Sequence, residues 1–165
     1  MKKIIIVRHS KSSWSEVGLD DFDRPLSERG EYDGYLMSKK LLKKVSKIDL
    51  LISSSSKRTR LTSNYFINQI KIKSVRYIDE LYHASSNEIF NILVTIDKNI
   101  NSLIIVGHNP GLTNFINNLT YLNLYNLPTS GIVILSFINE TWNIKELEKN
   151  KLNVEWIKFP KDFKL

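Results

Sequence analysis

The stretch Ile4-Ile5-Ile6-Val7-Arg8-His9-Ser10-Lys11-Ser12-Ser13 is a short β-branched run that ends directly on an adjacent Arg and His, followed by small hydroxyl residues. A run of this kind reads as the buried strand of an α/β sheet. Ligands in such sheets sit beyond the carboxyl ends of the strands, so Arg8 and His9 are expected in a crevice, with Ser10, Ser12 and Ser13 supplying hydroxyls and backbone N–H groups. Taken alone, the segment is equally compatible with a surface Arg-His pair after an ordinary strand. A second segment, Ser102-Leu103-Ile104-Ile105-Val106-Gly107-His108-Asn109-Pro110-Gly111, repeats the pattern of an apolar strand running into a His. Asn109, Pro110 and Gly111 then open a helix with Pro near its first turn, where its missing N–H costs nothing, and the free amides of that helix end suit an anion. The chain has only 3 His. Two of them in matching strand-terminal positions favour a functional pair over two packed structural residues.

At 165 residues, with 42% hydrophobic and 25% charged residues, the chain has the size and composition of one globular domain spanning 1–165. No apolar stretch approaches the ~20 residues of a membrane helix. The start, Met1-Lys2-Lys3 and four apolar residues, resembles a signal peptide, but Arg8 and His9 interrupt the apolar run short of the minimum of ~7. It reads as a first strand, and the protein is expected to be cytoplasmic and monomeric, with no membrane partner. The absence of Cys excludes disulfides and thiolate chemistry. A net charge of +7 raises the question of nucleic acid. The lysines, however, are scattered along helices, linkers and the tail, with no basic stripe interleaved by aromatics and no nucleic-acid module. A solvated Lys-rich surface follows, whose mild positive field would steer a phosphorylated or acidic partner. Arginine is the scarcer basic residue, so its placement carries more information.

Along the chain the periodicity alternates in the βα manner, which gives the α/β class. A loop over residues 10–26 holds Trp14, Gly18, Asp20-Asp21-Phe22-Asp23 and Arg24-Pro25-Leu26, and a loop of that length is usually functional. Ser27 reads as an N-cap with Glu28 in the first turn of a helix reaching about Lys47, its apolar face made of Tyr32, Tyr35, Leu36, Leu41, Leu42 and Val45. Further strands are expected over 49–52, 74–78 and 103–106, with helices after Arg58, over 87–96 and over 110–119. Gly131 to Phe137 and Trp142 to Leu147 read as an antiparallel hairpin, and the last fifteen residues as a surface tail. No repeat or linker divides the chain.

The strand ends then place Arg8, His9, Arg58, Glu80 and His108 around one crevice. Guanidiniums neutralise phosphoryl oxygens with forked hydrogen bonds, one imidazole can attack phosphorus, another can stabilise equatorial charge, and a carboxylic acid can protonate a leaving group. A metal centre built from the two histidines and scattered carboxylates is the lesser alternative, because the adjacent arginines repel a cation. No metal and no cofactor are expected.

The sequence resembles the histidine phosphatase superfamily, also called phosphoglycerate mutase-like, and within it the short bacterial phosphohistidine phosphatases of the SixA type. The resemblance rests on Val7-Arg8-His9-Ser10-Lys11-Ser12-Ser13-Trp14, Asp21-Phe22-Asp23-Arg24-Pro25-Leu26-Ser27-Glu28-Arg29-Gly30, Glu80-Leu81-Tyr82, Val106-Gly107-His108-Asn109-Pro110-Gly111-Leu112 and Leu127-Pro128-Thr129-Ser130-Gly131. It departs from the family at Ser55 and Ser56, where Pro and Ala are usual, and at Thr59, where Ala is usual. The resemblance implies a three-layer α/β/α sandwich with a mostly parallel central sheet. It also implies a phosphatase working through a phosphohistidine intermediate on His9, with Arg8, Arg58 and His108 holding the phosphoryl oxygens. Arg24, Ser12, Ser13 and Asn109 are the further candidates for substrate binding. Glu80 is the candidate acid, with Asp20 and Asp21 as rivals. Trp14 is expected to pack rather than to stack on substrate, and His83 to be an exposed loop residue. The expected substrate is a phosphohistidine-bearing phosphotransfer protein, the alternative a small phosphate ester. A phosphate-binding module without turnover would have no need of a nucleophile.

Overall fold

The computed structural model describes residues 1–164. Its centre is β1 (Lys2–Arg8), in which Ile4 to Val7 are wholly buried because both faces of the strand are covered. β1 pairs in parallel with β4 (Ser102–Gly107) on one side and antiparallel with β5 (Ile132–Phe137) on the other. β2 (Lys47–Ser54) and β3 (Lys71–Ile78) extend the parallel half, and β6 (Asn153–Lys158) extends the antiparallel edge, giving the order β3-β2-β4-β1-β5-β6. Successive side chains of a strand point to opposite faces. Ile4 and Ile6 therefore face one core with α3 (Ser86–Val94) and α4 (Gly111–Leu119), while Ile5 and Val7 face the other with α1 (Glu28–Leu42) and α2 (Lys57–Gln69). The result is the α/β/α sandwich with a mostly parallel sheet. Among the described residues no helix is long and apolar enough to cross a membrane.

Ser27 caps α1 by accepting a hydrogen bond from the Gly30 amide, 3.1 Å. The helix stops at Leu42, earlier than its periodicity suggested, and its buried face is Gly30, Asp33, Gly34, Met37, Ser38 and Leu41. Tyr32 and Tyr35 face solvent instead. Small residues occupy the inner stripe because neighbours press close: a Cβ on Gly30 would meet the Lys11 carbonyl and one on Gly34 the Tyr65 ring. Apolar size is thus a poor guide to the inner face of α1.

The expected hairpin is also corrected. β5 pairs with β1 and with β6, whereas Trp142 and Ile144 turn inward as core residues of an irregular segment that includes a short 3-10 helix over Ile144–Leu147. Trp142 is held there by its indole N–H donating to the Ile100 carbonyl, 2.9 Å. The tail is not a drape: 153–158 form the edge strand, and Lys164 reaches the buried Asp33 carboxylate of α1 at 2.6 Å. The loop over 10–26 is tied down by the Ser12–Leu26 bridge, by the Ser13 amide on the Pro25 carbonyl, 2.8 Å, and by a 3-10 turn at Asp21–Asp23.

The sheet register fixes the two key histidines. Arg8 lies opposite Gly107 in the β1–β4 ladder, so the next residue on each strand, His9 and His108, emerges side by side. Gly111, at the start of α4, abuts the Ala84 carbonyl, where a Cβ would collide with backbone. Gly111→Ala is expected to lower stability by about 1–3 kcal/mol, the usual cost of overpacking. Urea unfolding of the variant beside the wild type measures it.

Candidate active site

Arg8, His9, Lys11, Ser12, Arg24, Arg58, His83 and His108 line a cavity of about 250 Å³ at the carboxyl ends of the parallel strands. His9 is nearly buried, and its Nδ1 lies 2.8 Å from the Ser10 carbonyl. A carbonyl only accepts, so Nδ1 carries the proton and the Nε2 lone pair is available to the cavity. Arg58 Nε donates toward that Nε2 at 3.4 Å. His108 accepts from Arg58 Nη2 at Nδ1, 3.4 Å, and its Nε2 donates to the Ser54 hydroxyl, 2.9 Å. The two rings stand 5.2 Å apart, centre to centre. Burial, with the Arg58 and Arg8 charges adding to it against the Ser10 hydrogen bond, pushes the His9 imidazole down to about 3. Burial and the neighbouring His9 and Arg58 push His108 down to about 2. Both rings are therefore neutral at pH 7, the state a nitrogen nucleophile needs.

Arg58 enters from the first turn of α2 and is almost wholly buried. Its Nη1 donates to the Asp21 carbonyl, 2.6 Å, and its Nη2 to the Asp21 carboxylate, 2.9 Å. Arg24 spans the loop: Nε donates to the Ser13 carbonyl, Nη2 to the Ser12 hydroxyl at 2.7 Å, and Nη1 to Asp21 at 3.2 Å. Its guanidinium lies flat against Trp14, 3.1 Å from the ring centre, which makes the exposed Trp14 a rim residue stacked on an arginine. Arg8 donates to the Leu127 carbonyl, 3.0 Å, and its buried Nε–H has no partner among the described residues. Burial, and then Arg58, lower its pKa. A buried donor left in that condition costs about 1–3 kcal/mol, which an anionic ligand offsets.

The residues that depart from the family pattern stiffen the turn before Arg58. The Ser56 and Thr59 hydroxyls meet at 2.7 Å, Thr59 also donates to the Ser54 carbonyl, and Ser55 binds Asp79.

Several site assignments need correction. Glu80 does not reach the cavity: it is exposed in the 3-10 turn Asp79–Leu81, which buries Leu81 and turns Glu80 into a separate groove with Ile78, Glu88, Asn91, Ile92 and Thr95. Asp21 is the carboxylate that does reach the site. Partial burial favours its neutral form, but hydrogen bonds from Tyr82, Arg58 and Arg24 outweigh it and hold Asp21 well below the usual carboxylate range, so it stays ionised. Asp20 is exposed beside it. The Ser13 side chain turns to Ser15, 2.8 Å, and only its backbone serves the site. Asn109 lines the cavity, but its amide group donates to Asn126 and to the Leu127 carbonyl and its carbonyl accepts from Thr113. It fastens the neighbouring loop.

His83 was missed as a site residue. It stacks on Tyr82 at 4.1 Å, stands 5.1 Å from His108, and its Nε2 lies 3.4 Å from both Asp21 and Arg58. The signal available was weaker than for His9 and His108, which directly follow their strands, because His83 comes after β3 only beyond the turn over Asp79–Leu81.

The family model of the histidine phosphatase superfamily, branch 1, matches residues 4–86, about half of the chain. An uncharacterised chloroplastic protein of Arabidopsis thaliana is 26% identical over 151 residues, 86% of this chain and 69% of its own length. Phosphoserine phosphatase 1 of Hydrogenobacter thermophilus is 40% identical over 65 residues, 38% of this chain and 30% of its own. Among solved structures, a protein from Agrobacterium tumefaciens named for the phosphohistidine phosphatase SixA superposes with a TM-score of 0.81 at 24% identity, covering 96% of this chain and 98% of that one. The protein histidine phosphatase SixA complexed with tungstate gives 0.77 at 19% identity, covering 98% and 99%. Fold and family model agree: the chain belongs to the histidine phosphatase superfamily and is a phosphatase of that superfamily.

The depressed histidines make stability pH-dependent. An unfolded His binds a proton near pH 6.5, while the folded His9 and His108 resist it down to about 3 and about 2. Between those values the unfolded chain holds more protons, so stability is greatest above pH 6.5 and falls as pH drops, by up to about 1.4 kcal/mol per pH unit for each ring. Urea unfolding at pH 7 and 4.5 should show that fall, and it should be smaller in His108→Gln.

Proposed function

We propose that the protein hydrolyses phosphohistidine on a partner phosphotransfer protein, through a phosphorylated His9. The observation that carries this reading is the lack, among the described residues, of a carboxylic acid placed to protonate an alkoxide. Glu80 faces another groove, and Asp21 is an ionised acceptor shared by Arg58, Arg24 and Tyr82. A dedicated alkyl-ester phosphatase gains about 10²–10⁴-fold from such an acid, whereas the side chains of this cavity suited to exchanging a proton are imidazoles. An imidazole departs as a neutral base once its ring is protonated and asks less of the enzyme.

In the first half-reaction the Nε2 lone pair of His9 attacks phosphorus in line and the bond to the leaving nitrogen breaks. Arg58, Arg8 and Arg24 hold the phosphoryl oxygens, and His108 lies beside them at hydrogen-bonding range of Arg58. Catalysis of this transfer is mostly positioning and charge stabilisation. Water then attacks the phosphohistidine, releasing phosphate and restoring His9. The guanidiniums supply the positive charge that Mg²⁺ supplies in other phosphoryl-transfer enzymes, so turnover is expected to survive a chelator.

A protein-borne substrate suits a cavity of this size whose mouth is flanked by Trp14 and the half-exposed His83. The net charge of +7 favours approach of an acidic partner. The fold neighbours named for phosphohistidine phosphatases support the same substrate class. The short stretch shared with a phosphoserine phosphatase favours a second reading, a small phosphate ester. In the proposal the enzyme acts as a cytoplasmic monomer.

Two measurements test this. His9→Ala should abolish both turnover and the acid-labile phosphoenzyme, whereas His108→Ala should retain a trace after a loss of about 10²–10³-fold. Substantial turnover by His9→Ala would remove the nucleophile from the mechanism. The wild type should show a higher kcat/KM on a phosphohistidine-bearing protein than on any of a panel of sugar, amino-acid and nucleotide phosphates. A clear preference for one ester would establish the second reading.

A further inference from the structure

We propose that His83 is the proton donor to the leaving group, with Asp21 holding the Nε2 proton until it is transferred. This rests on the phosphoryl-transfer reading of the cavity but not on which phosphoryl donor it accepts. His9 forms the floor of the cavity, 8% exposed, while the His83 side chain stands at the mouth, 55% exposed. In an in-line transfer the leaving group departs on the side away from the nucleophile, which here is the mouth. Arg58 spans the two positions: its Nε meets His9 and its Nη2 meets His83, each at 3.4 Å. A phosphoryl group gripped by this guanidinium therefore has His9 at one end and His83 at the other.

The surroundings of the His83 Nε2 atom fit a group that must both give and take a proton. It lies 3.4 Å from an acceptor, the ionised Asp21 Oδ2, and 3.4 Å from a donor, Arg58 Nη2. Protonated, the ring donates to Asp21; neutral, it accepts from Arg58. Each state has a partner. The ring is kept in place by stacking on Tyr82, whose hydroxyl donates to the same Asp21 oxygen at 2.5 Å. Its backbone is held at φ +53°, the left-handed region that residues other than glycine adopt at a cost. The turn that accepts this conformation buries Leu81 beneath and points His83 at the cavity.

The step balances as follows. The His9 Nε2 lone pair forms the bond to phosphorus, the bond from phosphorus to the leaving atom breaks with its electron pair going to that atom, and the His83 Nε2 proton follows it there. His83, now neutral, takes a proton from the water that attacks the phosphohistidine, and phosphate leaves as His9 is regenerated. For a phosphohistidine whose ring is neutral, the proton reaches the leaving nitrogen as its bond to phosphorus breaks, so that imidazole and not the strongly basic imidazolate departs.

The test uses phenyl phosphate, whose basic phenolate needs a proton to leave, and 4-nitrophenyl phosphate, whose leaving group needs one far less. In both His83→Ala and His83→Gln, kcat/KM on phenyl phosphate should fall about 10²-fold, with a loss at least about tenfold smaller on the nitrophenyl ester. Inorganic phosphate should inhibit wild type and variants with similar constants, which shows that the anion site is intact. Free imidazole should restore part of the phenyl phosphate rate in His83→Ala. Equal losses on the two esters, or losses matched by weaker phosphate inhibition, would overturn the proposal and leave His83 as a support for Arg58. Failure to hydrolyse a phosphohistidine protein would instead remove only the substrate assignment, because the two esters read proton donation without it.

Discussion

The buried guanidinium of Arg58 is the constraint around which the site is arranged. A cation removed from water is costly by several kcal/mol unless it is paired and hydrogen-bonded. Here one residue of the long loop meets both needs, since Asp21 gives Arg58 its carbonyl and its carboxylate. The loop is ordered in consequence. Arg24 grips the other oxygen of the same carboxylate and reaches back to Ser12 and Ser13, so the two arms of the loop are joined through charge. Tyr82 and His83 close on Asp21 from the opposite side, which connects the turn after β3 to the same pair.

Behind the charged groups lies a layer of hydroxyls that fixes the rings. The Ser10 carbonyl sets the His9 tautomer, while the Ser10 amide is held by Thr62 at 2.9 Å and its hydroxyl accepts from Ser130 at 2.6 Å. For His108 the tautomer is set by Arg58, which can only donate to Nδ1, and the Ser54 hydroxyl accepts from the opposite nitrogen. These partners come from α2, β2 and the segment before β5, so the two rings are braced by elements distant in sequence. Such bracing limits the reorganisation required when charge develops on phosphorus.

How much of this was legible depended on whether a residue's role is set locally or by packing. The positions of Arg8, His9 and His108 at strand ends, and of Arg58 in the helix turn that follows β2, follow from apolar runs ending on polar residues, a pattern visible along the chain. The orientation of Glu80 does not: one 3-10 turn with Leu81 as its buried anchor rotates Glu80 away and leaves Tyr82 and the exposed His83 at the mouth of the cavity. Ser13 and Asn109 stand where substrate ligands were expected, yet their side chains are occupied by Ser15 and by the 126–127 loop. The same limit applies in the fold. Trp142 and Ile144 have the composition of a strand, but they fill a gap beside β5, and the edge pairing passes to 153–158, where the apolar alternation is weak because the outer strand is only half covered.

The charges also explain why two histidines can share one small cavity. Burial disfavours a protonated ring at both positions, and positive neighbours act in the same direction, Arg58, Arg8 and Arg24 on His9 and Arg58 on His108, so both stay neutral. The cationic field that suppresses their protonation is the field that attracts a phosphoryl dianion. Once that dianion is bound, its charge compensates the guanidiniums locally, and a ring beside it becomes easier to protonate than before. The same guanidiniums thus help keep the His9 lone pair unprotonated and give the cavity its positive field.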